Sequence, residues 1–273
     1  MRVWSNTKTL DGHVATVDFT DDKTAADVIL VGGRPFDLDE FPRLRGIFKT
    51  GVGRDNIPEE DARVRGIRCG FPSKGTCSII YEETATFTCH LIFRALYSRV
   101  GDFASWTKVG RHALATQKLL VLGTGNIGRQ VAAKMQPFLE VLTFDPADNR
   151  DDELVPLMMA ADCITLHMPL IDKTRGFIDA QKLGWMNDGA ALVNTARGHV
   201  VNEEALYQEL LAGRLRAAFD VFWEEPYVGR LLKLPPDRFL VSPHVASTCF
   251  EFIRETANDF RSFLHETDKE LTR

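Results

Sequence analysis

Three residue types suited to acid–base and anion chemistry stand just beyond apolar runs. Arg197 follows Ala191, Leu192 and Val193 in "ALVNTARGHVV", Glu225 closes "AAFDVFWEEP", and His244 lies in "LVSPHVAS". A guanidinium is a permanent cation whose planar fork can donate two parallel hydrogen bonds to a carboxylate. An imidazole exchanges a proton near neutral pH, and a carboxylate beside it favours the imidazolium form. Together they could hold a small anion and pass it a proton. Singly, each has a plain alternative: a surface charge for Arg197, a solvated loop acid for Glu225, a turn residue after Pro243 for His244. Three of them at three strand ends, where open α/β sheets bind ligands, are poorly explained as accident.

A fourth strand end carries glycines. "VLGTGNIG" places Gly123, Gly125 and Gly128 in G-x-G-x-x-G spacing. Gly123 permits the tight turn, Gly125 lets the backbone approach a pyrophosphate, and Gly128 lets the following helix pack on the strand. The first helical residues, Asn126 and Ile127, then offer free N–H groups to phosphate. Three glycines after a strand can be a simple turn, but the next strand, "EVLTFD", ends in Asp145. An acid there meets the adenosine ribose hydroxyls and repels a 2′-phosphate, which points to NAD rather than NADP. The alternative for Asp145 is a loop acid or helix cap.

The elements that must position these residues fall into two patterns. The first part of the chain reads as short strands at Arg2–Trp4, Val14–Phe19, Val28–Val31, Gly46–Lys49 and Ile67–Cys69, with a helix in "EEDARVRG". A long helix is expected from Tyr81 to about Val100, where apolar residues recur at three- and four-residue steps. From Lys118 strands and helices alternate, with Asn202 as a cap and Gly213 as a stop in "NEEALYQELLAG". A final amphipathic helix fills "TCFEFIRETANDFRSFLHE". Repeated βα units with continuous apolar strands predict an α/β fold with a parallel, doubly wound, Rossmann-type sheet. That domain is placed at 81–248, beside a smaller flavodoxin-like substrate domain at 1–80 completed by the helix in 249–273.

Composition narrows the class further. A 44% apolar and 26% charged chain can bury a core, and a net charge of -5 with interspersed acids and bases gives no nucleic-acid footprint. No apolar run reaches the length of a bilayer span, and the N-terminus lacks a signal-peptide pattern. Cys69, Cys77, Cys89, Cys163 and Cys249 form no C-x-x-C pair, so buried thiols in a reducing compartment are expected, with no metal site and a cytoplasmic location.

With these segments together, the sequence resembles the D-isomer-specific 2-hydroxyacid dehydrogenases along nearly its whole length. The carriers are "TGVGRDNI", "LGTGNIGRQVA", "LHMPLIDKTRGFID", "LVNTARGHVVNEEAL", "FDVFWEEP" and "SPHVAS". The resemblance implies that Arg197 pairs with the substrate carboxylate and polarises its 2-oxo group, that His244 is the general acid–base, and that Glu225 hydrogen-bonds it. It further implies that Val52 and Gly53, with Arg54 beside them, bind the substrate carboxylate. His167 and Pro169 of "LHMPL", with Thr174, Thr195, Ala196 and Asp220, are placed around the cofactor. A homodimer is implied, with the helix after Tyr81 and "GDFASW" as one source of its surface; intramolecular packing is an equal reading of both segments.

Departures from that pattern are visible too. No helix is expected between the first two strands, where relatives usually carry one, and Thr84 occupies the position of a histidine usual in the family. Arg34 and Arg54 are either solvated charges or readers of a second anionic group on the substrate. Two other functions stay open: a dehydrogenase of an unusual anion such as phosphite or a phosphonate, and a non-catalytic NAD sensor like the corepressors of the same fold.

Overall fold

The structure, a computed structural model, describes residues 1–271. The chain forms two compact units, one of Met1–Ile80 with the segment from Ser247 on, the other Tyr81–Ala246.

The first unit holds β1 (Arg2–Ser5), β2 (Asp18–Phe19), β3 (Val28–Val31), β4 (Gly46–Lys49), α1 (Glu59–Val64) and β5 (Arg68–Gly70). The strands are parallel in the flavodoxin-like order β2-β1-β3-β4-β5. All four residues of β3 are buried because both faces are covered. Ile29 and Val31 pack toward Phe41 and Ala62, while Val28 and Leu30 pack toward Phe260 and Phe263. The expected fifth strand, Ile67–Cys69, lies one residue later.

No helix links β1 to β2. A parallel crossover must still cover the sheet. Turns do it here: Leu10 and Val14 are buried with Val3, Val28 and Phe260. This shortens the expected strand Val14–Phe19 to its last two residues. Val14 is a turn anchor whose carbonyl accepts the Val17 N–H at 3.0 Å, so its burial does not come from sheet pairing.

Next is α2 (Lys74–Leu96), which starts earlier than Tyr81 and stops short of Val100. Ser73 Oγ accepts the Thr76 N–H at 3.3 Å and caps its first turn. Gly75 weakens the helical signal there, which hid the start in the sequence. A small antiparallel hairpin, β6 (Gly101–Asp102) and β7 (Thr107–Lys108), follows.

The alternation then runs β8 (Lys118–Leu122), α3 (Asn126–Met135), β9 (Glu140–Phe144), α4 (Asp151–Ala160), β10 (Cys163–Leu166), α5 (Ala180–Trp185), β11 (Ala191–Asn194), α6 (Glu203–Leu211), β12 (Arg216–Phe219) and β13 (Phe239–Val241). The last helix, α7 (Phe250–Leu271), belongs to the first unit. The Asn202 side chain caps α6 by accepting the Ala205 N–H at 2.9 Å, and Gly213 ends that turn at φ 74°, both as expected.

Six parallel strands are ordered β9-β8-β10-β11-β12-β13. Leu119, Val121, Ala191 and Val193 face Leu91, Ile92 and Val131. Leu120, Ile164 and Leu192 face Leu154, Leu183 and Leu206 on the other side. The chain leaves β8 for β9 on one side and returns to β10 on the other, so β8 and β10 flank the topological switch point. Ligands bind at such points, beyond the carboxyl ends of the strands.

Candidate active site

The glycine loop leaves β8 at that switch point. Gly123 takes φ 94°, and a Cβ on it would lie 2.8 Å from the His167 carbonyl carbon at the end of β10. A Cβ on Gly128 would lie 1.9 Å from the Gly123 oxygen, so only glycine lets α3 start this close to the strand. A Cβ on Gly125 would meet nothing within 4 Å, so the surface over this glycine is open. No side chain caps α3, which leaves the first-turn N–H groups at Asn126 and Ile127 for an anion.

Asp145 sits beside this loop. Its Oδ2 accepts the Thr124 N–H at 2.7 Å and the Thr124 hydroxyl at 3.0 Å, and its Oδ1 accepts the Ala147 N–H at 3.0 Å. Partial burial pushes this carboxyl up, but the Thr124 and Ala147 donors outweigh it and hold it below the usual carboxylate range. Asp145 is therefore ionised at neutral pH, the state that accepts from ribose hydroxyls and repels a 2′-phosphate. A glycine cradle with an open face, an uncapped helix and this carboxylate fit an NAD dinucleotide.

His167 ends β10 half-buried, its Nε2 3.0 Å from the Thr165 hydroxyl. Desolvation pushes its pKa down from 6.5 to about 3, so it is neutral. Pro169 follows it at the surface. Thr174 is buried, and its hydroxyl donates within its own turn, to the Pro169 oxygen at 2.5 Å and the Ile171 oxygen at 3.1 Å.

The ends of β11, β12 and β13 bring the other three residues into one neighbourhood. His244 Nδ1 lies 2.8 Å from Glu225 Oε2, while Glu225 Oε1 accepts the Phe222 N–H at 3.1 Å. Burial pushes the Glu225 carboxyl up; the hydrogen bond and charge of His244, the Phe222 N–H and the Arg197 charge together hold it below its usual value. Glu225 thus feels both Arg197 and His244. The His244 backbone has φ 53°, a left-handed conformation uncommon outside glycine.

Arg197 is half-buried, and its Nη1 donates to the Ala196 oxygen at 2.7 Å. Asn194, fully buried, fixes the loop from behind: its Nδ2 donates to the Arg197 oxygen at 2.9 Å and its Oδ1 accepts the Ala196 N–H at 3.0 Å. A Cβ at Gly198 would lie 2.1 Å from the Phe222 carbonyl carbon, which explains the glycine after arginine. Thr195 lies 2.8 Å, hydroxyl to hydroxyl, from Thr88 of α2, and the Thr88 hydroxyl donates to the Thr84 oxygen at 2.7 Å. Asn194 and Thr88 escaped the sequence reading. A buried asparagine closing an apolar strand was the available signal for the first; nothing marked the second.

Asp220, expected at the cofactor, is fully buried with both carboxylate oxygens engaged. Ser242 Oγ donates to Oδ1 at 2.5 Å, and the Val245 and Ala246 N–H groups donate to Oδ1 at 3.0 Å and Oδ2 at 2.9 Å. Burial nevertheless leaves this carboxyl above its ordinary value.

In the first unit, the Gly51–Gly53 turn follows β4. Among the described residues the Val52 and Gly53 N–H groups have no protein acceptor. Arg54 lies 3.4 Å from Glu59 Oε2 and stacks over the Phe71 ring at 3.8 Å. The loop after β3 is tied down from several sides. Lys49 Nζ donates to the Gly32 oxygen at 2.5 Å, and Asn6 and Asn56 both donate to the Arg34 oxygen at 2.9 Å. Arg34 itself is exposed. No cluster of histidine, cysteine or acidic side chains that could hold a metal exists among the described residues.

Residues 93–246 match the NAD-binding domain of the D-isomer-specific 2-hydroxyacid dehydrogenases. The chain belongs to that family. It is 30% identical to a hydroxypyruvate reductase of Thermotoga maritima, over 84% of this chain and 76% of that protein. It is 32% identical to an (S)-sulfolactate dehydrogenase of Chromohalobacter salexigens, over 78% of this chain and 74% of that one. Its fold matches that of a D-lactate dehydrogenase from Aquifex aeolicus, solved with NAD and lactic acid, with a TM-score of 0.82 and 23% identity over 100% of this chain and 98% of that one. As a member of the family, the protein is an NAD-dependent oxidoreductase acting between a 2-hydroxy acid and its 2-oxo acid. No described helix is long and apolar enough to cross a membrane.

Proposed function

We propose that Arg197, Glu225 and His244 carry the chemistry of a D-2-hydroxyacid dehydrogenase, the reading resting above all on the 2.8 Å pairing of His244 Nδ1 with Glu225. A carboxylate only accepts, so the hydrogen on that side sits on Nδ1 and the Nε2 position is the one that exchanges a proton with substrate. Arg197 holds the substrate carboxylate and stabilises negative charge growing on the 2-oxo oxygen, and His244 protonates that oxygen. Bound NADH supplies the hydride. The loops of Gly123–Gly128 and Asp145 hold the dinucleotide, with His167, Pro169, Thr195 and Ala196 beside it. We propose the Val52 and Gly53 N–H groups as binders of an anionic group, because among the described residues they have no protein acceptor.

The test is NADH oxidation across a panel of 2-oxo acids, with NADPH in parallel. Steady turnover with NADH is the expected outcome; tight NADH binding with no turnover on any member would overturn the reading. Reduction consumes a proton at His244, so it should prefer lower pH than oxidation, and superimposable pH–rate profiles in the two directions would count against His244. Within the panel, a second anion on the substrate is proposed to be read by Arg34, because Arg54 already pairs with Glu59 and Phe71. Glyoxylate or pyruvate outperforming every dianionic analogue would remove that proposal.

We further propose a homodimer in the cytoplasm. It is supported by the exposed apolar hairpin carrying Phe103 and Trp106, which lie 86% and 74% exposed, and by five cysteines that form no disulfide among the described residues, as suits a reducing compartment. Light scattering giving the mass of one chain would refute the dimer.

A further inference from the structure

Glu225 is carried by the loop of residues 222–227, beyond the end of β12. The backbone of this loop lies directly against the segment that follows Arg197. A Cβ at Gly198 would fall 2.1 Å from the Phe222 carbonyl carbon and 2.4 Å from the Trp223 nitrogen. Two half-buried side chains that flank Glu225 reach across the same contact. The Trp223 indole Nε1 donates to the Val201 oxygen at 2.7 Å, and its ring stacks on Phe219 with centroids 5.8 Å apart. The Tyr227 hydroxyl donates to Glu203 Oε1 at 2.6 Å, in the first turn of α6, and its ring stacks on Phe222 at 5.0 Å. The Phe222 N–H in turn donates to Glu225 Oε1. A Cβ at Gly229 would fall 2.1 Å from the Tyr227 hydroxyl oxygen, so the phenol is seated on bare backbone. Its acceptor is a carboxylate, which places this bond in the stronger, charge-assisted class. Partial burial and that carboxylate push the phenol above its ordinary pKa, so it keeps its proton and donates.

We propose that Tyr227 is a positioning residue: its hydrogen bond to Glu203 closes the 222–227 loop against the segment that follows Arg197 and so fixes the Glu225 carboxylate that holds His244. Trp223 pins the loop on one side of Glu225, and Tyr227 pins it on the other. The Tyr227 ring also backs Phe222, whose N–H holds Glu225. Because both ties end just after Arg197, they join the mount of the carboxylate to the mount of the cation. Orientation is worth this much structure, since a displacement of about 1 Å in a reacting group can cost roughly 10²-fold in rate. The inference rests on Glu225 and His244 working as the acid–base pair, and Tyr227 acts through Glu225 alone.

The test compares Tyr227→Phe with the wild type in steady-state kinetics on a 2-oxo acid turned over in the panel, with NADH affinity from fluorescence titration and Tm on the same samples. The substitution keeps the ring stack and removes one donor. The expected result is a kcat lower by about three- to tenfold, one hydrogen bond's worth of barrier, with the KM of the 2-oxo acid and the NADH Kd within about twofold of wild type. Glu203→Ala should reproduce that loss. Glu203→Gln, whose amide oxygen still accepts from the phenol, should recover about half or more of the wild-type kcat. A tie that serves stability alone would lower Tm and leave kcat unchanged, and that result in Tyr227→Phe overturns the proposal. If Tyr227→Phe does not fold, the Glu203 pair decides, and equal kcat in Glu203→Ala and Glu203→Gln overturns it. A cycle with Glu225→Gln shows whether the effect passes through Glu225. In that background Tyr227→Phe should add less than about twofold, within the additivity expected when one residue acts through the other, and a full independent loss overturns the proposal. Glu225→Gln alone turning over like wild type would instead show that the reading of Glu225 is wrong.

Discussion

Two histidines stand at the carboxyl ends of strands in the same sheet, and their surroundings are opposite. His167, after β10, is half-buried beside the glycine loop with a threonine hydroxyl on Nε2. His244, after β13, keeps 41% of its side chain exposed and has a carboxylate on Nδ1. Desolvation without a counter-charge holds the first ring neutral, at a pKa of about 3. The second has an ionised partner and an open edge. Position at a strand end therefore does not decide a histidine's chemistry; the partner and the access to water do. On the proposed reading, one ring hydrogen-bonds without changing charge and the other passes the proton.

The sharpest way to break this contrast is to delete each ring in turn. His244→Ala should lower kcat by about 10²–10⁴, the contribution of a positioned general acid–base group, with NADH binding retained. Stopped-flow turnover with NADH binding measured on the same sample reads both. Near-wild-type kcat in His244→Ala, or a larger kcat loss in His167→Gln, would invert the assignment. Arg197→Lys comes next. A point charge replaces a fork, so kcat/KM for the 2-oxo acid should fall by about 10²–10³, the cost of losing one oxyanion donor. Glu225→Gln should cost less, about ten- to hundredfold in kcat, the value of one charge-assisted hydrogen bond in the barrier. A Glu225→Gln variant as active as wild type would show that His244 needs no carboxylate.

The sequence already carried much of this contrast. G-x-G-x-x-G, the strand-terminal acid Asp145, and the three strand ends of Arg197, Glu225 and His244 were all legible, because apolar runs of four or five residues fix where the sheet ends. What was not legible depends on the third dimension. Nothing in "SPH" spells a left-handed histidine, nor that the next two N–H groups, of Val245 and Ala246, donate to the carboxylate of Asp220 a strand away. In "VATVDF", apolar Val14 suggested a strand, when the turn between β1 and β2 was using it to replace a missing helix. Local pattern reports burial well; it does not say which element the burial serves.

The smallest expected effect concerns the neutral ring, and it tests the contrast without any turnover. His167 has a folded pKa of about 3 against an ordinary value of 6.5. Between those two pH values the unfolded chain binds a proton at this site and the folded chain does not. Protonation therefore favours unfolding, so this residue's contribution is intact above 6.5 and erodes as pH falls toward 3. His167→Gln keeps a hydrogen-bonding side chain and removes the titration. Thermal unfolding of wild type and variant at pH 7 and pH 4.5 isolates the site as a difference of differences. Wild type should lose more Tm than the variant on acidification, and a gap of about 2–4 °C is what each kcal/mol produces in a chain of this size. Equal losses in the two proteins would mean that His167 takes up its proton in the folded state. That ring would then titrate within the folded protein, and the distinction between the two strand ends would dissolve.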